Sequence, residues 1–182
     1  MVFGFHRSRN RTEKNLDTRH FIEEAVLLKK ALEPFGVPLV INDRVDVALA
    51  SDADGVHIGQ SDMPYSKARE LLGKEKIIGL SVENLQQVAE AEALDVDYIG
   101  VSPVFATPTK TDTATPFGLE GLRKAASISS HPIVGIGGIN ASNAAGVMVS
   151  GADGIAVVSA IAGAESPRKA SKELLEIVSR NI

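Results

Sequence analysis

Residues 53–64 read ADGVHIGQSDMP, and the Ala-Asp-Gly-apolar opening of this stretch returns as Ala152–Asp153–Gly154–Ile155, with a looser copy at Val96–Asp97–Tyr98–Ile99. Each copy joins an amphipathic stretch to a short Val/Ile-rich run. One helix-to-strand turn is therefore being reused along the chain. From residue 36 onward, apolar runs and helical periodicity alternate at a nearly constant interval, which calls for βα units and a parallel sheet.

The pattern predicts strands over Val37–Asp43, Gly55–Gly59, Lys76–Ser81, Asp97–Val104, Pro132–Ile139 and Gly154–Ser159. It predicts helices over Thr18–Pro34, Val45–Ser51, Pro64–Leu72, Asn84–Leu94, Gly118–Ser129, Ala141–Ser150 and Pro167–Asn181. Strands apolar on both faces suit either a (β/α)₈ barrel or a doubly wound sheet. The reused turn, and the collection of polar residues after the strands, favour the barrel, whose sites lie at that end. Only six strands are clear, so the barrel is expected to be incomplete.

With 182 residues, the chain is long enough for one domain with a real core. A hydrophobic fraction of 44% and a mean hydropathy of +0.06 fit a soluble globular protein. A net charge of −4 argues against nucleic acid or an anionic membrane as partner. The absence of cysteine rules out disulfides and thiolate chemistry and fits a reducing compartment. No stretch approaches the roughly eighteen apolar residues of a membrane span, so the expected location is cytoplasmic.

Chemistry-capable residues follow the apolar runs. Asn42–Asp43 ends one strand, and Asp62 lies in the Gly59–Gln60–Ser61–Asp62 segment after the next. Two carboxylates at adjacent strand ends suit a hard ion such as Mg²⁺ together with a diphosphate. Equally, both could be helix N-caps, since Asp43 opens one predicted helix and Asp62 precedes Pro64 at the start of another. Ser81 ends a further strand and could donate to a phosphate.

Gly137–Gly138, before Asn140–Ala141, would let backbone N–H groups approach an anion, and Val158–Ser159 closes the last strand. In barrels this pair of loops is a frequent phosphate site. The loop FATPTKTDTAT at 105–115 adds several threonine hydroxyls and the cation of Lys110. His57, between Val56 and Ile58, reads as a packed or hydrogen-bonded strand residue, and His6, His20 and His131 show no metal-ligand spacing. Glu83 and Glu120 read as helix-start residues. This inventory favours binding and ionising a diphosphate over acid–base isomerisation.

The segments VPLVINDRVDVALA (37–50), ADGVHIGQSDMP (53–64), IIGLSVEN (77–84), YIGVSPVFATPTKTDTATPFGLEGLR (98–123), GIGGIN (135–140) and GADGIAVVSAI (151–161) resemble the thiamine phosphate synthase family. They keep the family's order and spacing from about residue 13 to the C-terminus. The resemblance implies a TIM (β/α)₈ barrel that joins hydroxymethylpyrimidine diphosphate to hydroxyethylthiazole phosphate by a dissociative, Mg²⁺-assisted transfer. It implies Asp43 and Asp62 as Mg²⁺ ligands and places Lys14, Asn42, Ser81 and Lys110 on the pyrimidine diphosphate, with Lys110 and Ser81 the catalytic pair. Thr107, Pro108, Thr109, Gly138, Val158 and Ser159 would hold the thiazole phosphate. A related thiazole tautomerase should lack both the paired aspartates and the TPTKTD loop, which are present here.

The N-terminus departs from the family pattern. The expected first βα unit is missing, and a Gln-x-Arg-Glu-Lys motif is represented by Asn10–Arg11–Thr12–Glu13–Lys14. Arg11 is one residue out of place, which in a strand turns a side chain to the other face. Residues 1–16 carry a net +3 and leave −7 for the remainder, so they are compositionally foreign. Residues 1–12 are expected to reflect a frameshift or a misplaced start, with the barrel domain at 13–182. A barrel with its first unit missing and its second strand abnormal would have open edges. Self-association would cover them, and a weakly active or merely phosphate-binding chain is the alternative expectation.

Overall fold

The computed structural model describes residues 3–5, 17–106 and 115–181. The chain folds as two compact units, Met1–Leu80 and Ser81–Ile182.

In the first unit, β1 (Phe3–Phe5), β2 (Leu39–Asn42), β3 (Gly55–Ile58) and the first residues of β4 (Ile77–Val82) pair in parallel and in sequence order. The foreign segment therefore contributes one short strand, beside Leu39–Ile41. Residues 6–16, including Lys14 and the 10–14 motif, lie outside the described residues. Among the described residues, three α-helices accompany the strands: α1 (Thr18–Leu32), α2 (Val45–Ala50) and α3 (Tyr65–Leu72). Leu39, Val40 and Ile41 are all fully buried, so consecutive side chains on opposite faces of β2 are both covered. That is what a parallel strand with helices behind it requires.

In the second unit, the end of β4 leads into α4 (Leu85–Ala91), β5 (Tyr98–Val101), α5 (Gly118–Ile128), β6 (Ile133–Ile136), α6 (Ala144–Val149), β7 (Gly154–Ala156), α7 (Ser159–Ala162) and α8 (Pro167–Ser179). Strands β5, β6 and β7 are again parallel and in order. Ile99, Val101, Leu122, Ala125, Ala144 and Val147 form the centre of its core. Most elements fall within a few residues of their expected bounds. Three differ. β7 stops at Ala156, because Val158 turns into the short helix α7, so Ser159 opens a helix rather than ending a strand. α6 begins at Ala144 instead of Ala141, because Asn140–Asn143 form a turn of their own. β5 ends at Val101 rather than Val104, where the chain turns toward β6.

The repeated Ala-Asp-Gly motif has one structural job in both units. Asp54 Oδ2 accepts from Leu39 N–H at 2.7 Å, while Asp54 N–H donates to Leu39 C=O at 2.9 Å. Asp153 repeats the arrangement on Ile133, at 2.7 and 2.8 Å. Each aspartate thereby stitches the start of its own strand to the start of the preceding one. The glycine that follows is needed at Gly55, where a Cβ would lie 2.6 Å from Ile77 Cβ.

Two residues before each motif aspartate the chain passes through the left-handed region, at Asp52 (φ 50°) in one copy and Gly151 (φ 98°) in the other. Glycine adopts this conformation without strain; aspartate does so at some cost. Asp52 is held there by two cations. Its carboxylate accepts from Lys76 at 2.6 Å and from Lys29 at 2.9 Å, and Lys29 also reaches the Asp52 carbonyl. The lysines, led by the hydrogen bond from Lys76, pull the Asp52 carboxyl down to about 2.

Asp54→Ala and Asp153→Ala should each destabilise by about 1–3 kcal/mol, since each strands the N–H of a buried strand residue. The corresponding asparagines, which keep an acceptor, should lose much less in urea unfolding. Because the folded-state pKa of Asp52 is depressed, its contribution is present above the unfolded value of 3.8 and is lost as pH falls through about 2. Asp52→Asn tolerates the same backbone and removes the charge. Its melting temperature should vary less than that of the parent between pH 4 and pH 2; parallel curves would exclude the clamp as a source of acid sensitivity.

Candidate functional site

On the first unit, the end of β2 and the loop after β3 are neighbours, because Asn42 pairs with His57 across the two strands. Asn42 is half-buried and its carbonyl accepts the N–H of Arg44 at 2.8 Å, closing a three-residue turn around Asp43. Asp43 sits at φ 65°, and its own N–H donates to His57 C=O at 2.8 Å. A turn of this kind, with positive φ at its centre, is rare and strained in L-residues. Such strain, about 1–3 kcal/mol, persists only where the surroundings impose it, and it concentrates at functional positions.

Neither aspartate caps a helix. The N-cap of α2 is Arg44 and that of α3 is Pro64, and neither helix has a side-chain cap. The N-cap alternative is thereby removed for both residues. Asp62 is half-buried, and its Oδ2 accepts Gly59 N–H at 2.6 Å, which folds the GQSD segment back on the end of β3. His57 lies within β3, half-buried, as expected for a strand histidine.

Arg44 is a residue whose importance the sequence alone did not flag. Its Nε and Nη2 fork onto the two Asp46 oxygens at 2.8 and 2.6 Å, and Nη2 also donates to Thr18 Oγ1 at 2.9 Å. These hydrogen bonds raise the guanidinium pKa and lower that of the Asp46 carboxyl. A spacing of two residues between Arg and Asp was the available signal. It says nothing of a turn that places both side chains on one side.

On the second unit, Gly138 (φ 66°) follows β6 and Val158 follows β7; these strands pair through Ile136 and Ala156, so the two positions stand at matching places after adjacent strands. A Cβ on Gly138 would come within 2.8 Å of the Ala106 carbonyl oxygen, and one on Gly137 within 2.8 Å of Pro103 Cβ. The glycine pair therefore lies directly against the chain leaving β5. Val104 N–H and Phe105 N–H donate to Ile136 C=O and Gly137 C=O at 2.7 and 3.1 Å. The returning chain is fixed by Phe117 N–H and Gly118 N–H on Pro103 C=O and Val104 C=O, both at 2.9 Å.

Asn143 Nδ2 donates to Gly138 C=O at 3.0 Å, and Asn143 Oδ1 accepts from Asn140 N–H at 2.8 Å, bracing the glycine loop from behind. Ser81 lies in β4, half-buried, one residue before its end. Ser159 is the first residue of α7, and Val158 is partly exposed. Glu83 and Glu120 stand at the starts of α4 and α5 as expected; Glu120 pairs with Lys124 at 3.0 Å. Thr107, Pro108, Thr109 and Lys110 lie outside the described residues.

Parallel strands carrying polar turns at their C-terminal ends define an α/β protein of the barrel class, in which sites lie at that end. Residues 9–161 match the family described as thiamine monophosphate synthase. The chain is 56% identical over 166 residues to the thiamine-phosphate synthase of Albidiferax ferrireducens, an alignment covering 91% of this chain and 76% of that protein. It is 54% identical to that of Chloroflexus aurantiacus, over 92% of this chain and 77% of the relative.

Among solved structures, a thiamine phosphate pyrophosphorylase from Pyrococcus furiosus superposes with a TM-score of 0.86 at 45% identity, over 93% of this chain and 81% of that one. A 3-hexulose-6-phosphate synthase, at 21% identity and a TM-score of 0.67, shares the fold. The chain belongs to the thiamine monophosphate synthase family. Its fold is the α/β, incomplete (β/α)₈-barrel class expected from the sequence, and it is a transferase of that family.

Gly138→Ala should destabilise by about 1–2 kcal/mol from the left-handed backbone alone, with more from the contact on Ala106. Urea unfolding measures this. Stability equal to that of the parent would show that the loop shifts freely and that the glycine is not a structural requirement.

Proposed function

We propose that the chain condenses hydroxymethylpyrimidine diphosphate with hydroxyethylthiazole phosphate, releasing diphosphate and forming thiamine phosphate. The observation that carries the reading is the pair Asp43 and Asp62, two carboxylates following neighbouring strands, one of them held in a strained turn and neither capping a helix. Oxygen-only donors of this kind fit Mg²⁺, which is commonly bound through one or two carboxylates, with water and substrate phosphate completing its shell. Bound there, Mg²⁺ would neutralise charge developing on the diphosphate leaving group.

The chain's own residues divide the remaining work. Asn42, Lys14, Ser81 and Lys110 bind the pyrimidine diphosphate, with Lys110 stabilising the charge that the diphosphate gains as the C–O bond breaks. The pyrimidine ring disperses the cation left behind, and the thiazole nitrogen captures it. Thr107, Pro108, Thr109, Gly138, Val158 and Ser159 hold the thiazole phosphate, where backbone N–H groups at glycine carry no side chain to block approach. No side-chain nucleophile is required, so catalysis is positioning plus electrostatics. Soluble phosphorylated substrates fit a cytoplasmic setting; among the described residues no helix is long and apolar enough to cross a membrane.

Lys110→Ala should slow turnover by about 10²-fold or more, the scale of losing one preorganised donor. An unchanged turnover rate would remove Lys110 from this role. Calorimetry with thiazole phosphate, run beside the turnover assay on the parent chain, separates the enzyme from a degenerate relative. Binding with no turnover would leave only phosphate binding.

A further inference from the structure

The strained turn at Asp43 needs something to hold it. Its N–H is fixed by His57 C=O and its closing bond by Asn42 C=O, but both are backbone bonds that other turn geometries could also form. The side chain that follows is tied to two helices. Arg44 forks onto Asp46, and Asp46 stands in the first turn of α2, a helix anchored by Val45, Val47 and Ala48, which are at most 2% exposed. The same guanidinium reaches Thr18, the first residue of α1.

A guanidinium already held bidentately by a carboxylate is a poor grip for a second anion, because its charge is compensated and two of its nitrogens are directed elsewhere. The pair is also partly exposed, with side-chain exposures of 39% and 59%, where such ion pairs contribute at most about 1 kcal/mol to stability. Its geometry is thus more specific than a contribution to overall stability would require.

We propose that Arg44 is a positioning residue for the metal-binding aspartate: its fork on Asp46 and its bond to Thr18 lock the turn that presents the Asp43 carboxylate at the end of β2, and couple that turn to the start of α1. This rests on the reading of Asp43 as a Mg²⁺ ligand. Arginine is specified over lysine because only a planar fork engages both Asp46 oxygens while reaching Thr18.

The test uses Mn²⁺ as the stand-in for Mg²⁺, with inorganic diphosphate at the same concentration throughout, and reads protein-bound metal as the excess of Mn²⁺ on the protein side of an equilibrium dialysis. Arg44→Met and Asp46→Ala should each weaken Mn²⁺ binding about tenfold, and the double variant should lose no more than either, because both break one device. Arg44→Lys should fail to rescue. Arg180→Met, which removes the exposed pair with Glu176 on α8, should leave binding unchanged.

Melting of the metal-free variants should stay within about 5 °C of the parent, consistent with an exposed pair. Weakened binding in Arg44→Met with normal binding in Asp46→Ala would mean that Arg44 touches the diphosphate itself, and would overturn the positioning role. Unchanged binding in both, or a larger fall in melting temperature in both, would overturn it too. Failure of the parent to bind Mn²⁺, or equal binding by Asp43→Ala, would instead sink the metal-ligand reading on which the inference rests.

Discussion

The reciprocal hydrogen-bond pair between a strand-starting aspartate and the first residue of the preceding strand is the constraint on which each unit depends. A parallel sheet has evenly spaced, slanted bonds and nothing in the ladder itself that marks where pairing should begin. Asp54 and Asp153 supply that mark. Each carboxylate satisfies the first N–H of a neighbouring strand, and each backbone N–H returns a bond to the same residue. A shift by one residue would leave the carboxylate facing the wrong amide and would turn every buried strand side chain to the opposite face. Register at the starts of the strands then determines which residues emerge at their ends, where the chemistry lies.

The two ends of the strands accordingly show different kinds of order. At the starts, strain is compensated electrostatically: Asp52 occupies a left-handed position that its counterpart fills with Gly151, and two lysines hold it. At the ends, among the described residues, positive φ falls at Asp43 and at the glycine pair 137–138, where main-chain bonds to neighbouring strands and loops accompany it. Rigid placement of a carboxylate matters to an enzyme that relies on positioning, since a preorganised group avoids reorganisation during the reaction.

Much of this was legible in the sequence because it rests on periodicity and on a repeated turn. The alternation of apolar runs located β2 to β7, and the Ala-Asp-Gly copies identified the reused junction. What periodicity could not convey was backbone conformation. Asp43 before an arginine looks like a helix cap until its φ of 65° and the Arg44 N-cap are seen. Likewise, Val157–Val158 read as a continuing strand because β-branched residues favour one, yet the chain turns at Val158 into α7. Asn140 was correctly seen near a helix start, but an Asn at each end of a four-residue turn delayed that helix to Ala144. The Arg44–Asp46–Thr18 contact spans 26 residues at its widest and has no local signature.

The chain leaving β5 is fastened at Val104 and Phe105, and the chain entering α5 is fastened at Phe117 and Gly118, all through main-chain atoms. Those bonds require no particular side chain at the positions between. The four bonds therefore depend on the backbone path at Val104, Phe105, Phe117 and Gly118 and on no side-chain functional group. Substitutions at these posts would be selected through packing and backbone conformation, not through the loss of a hydrogen-bonding side chain.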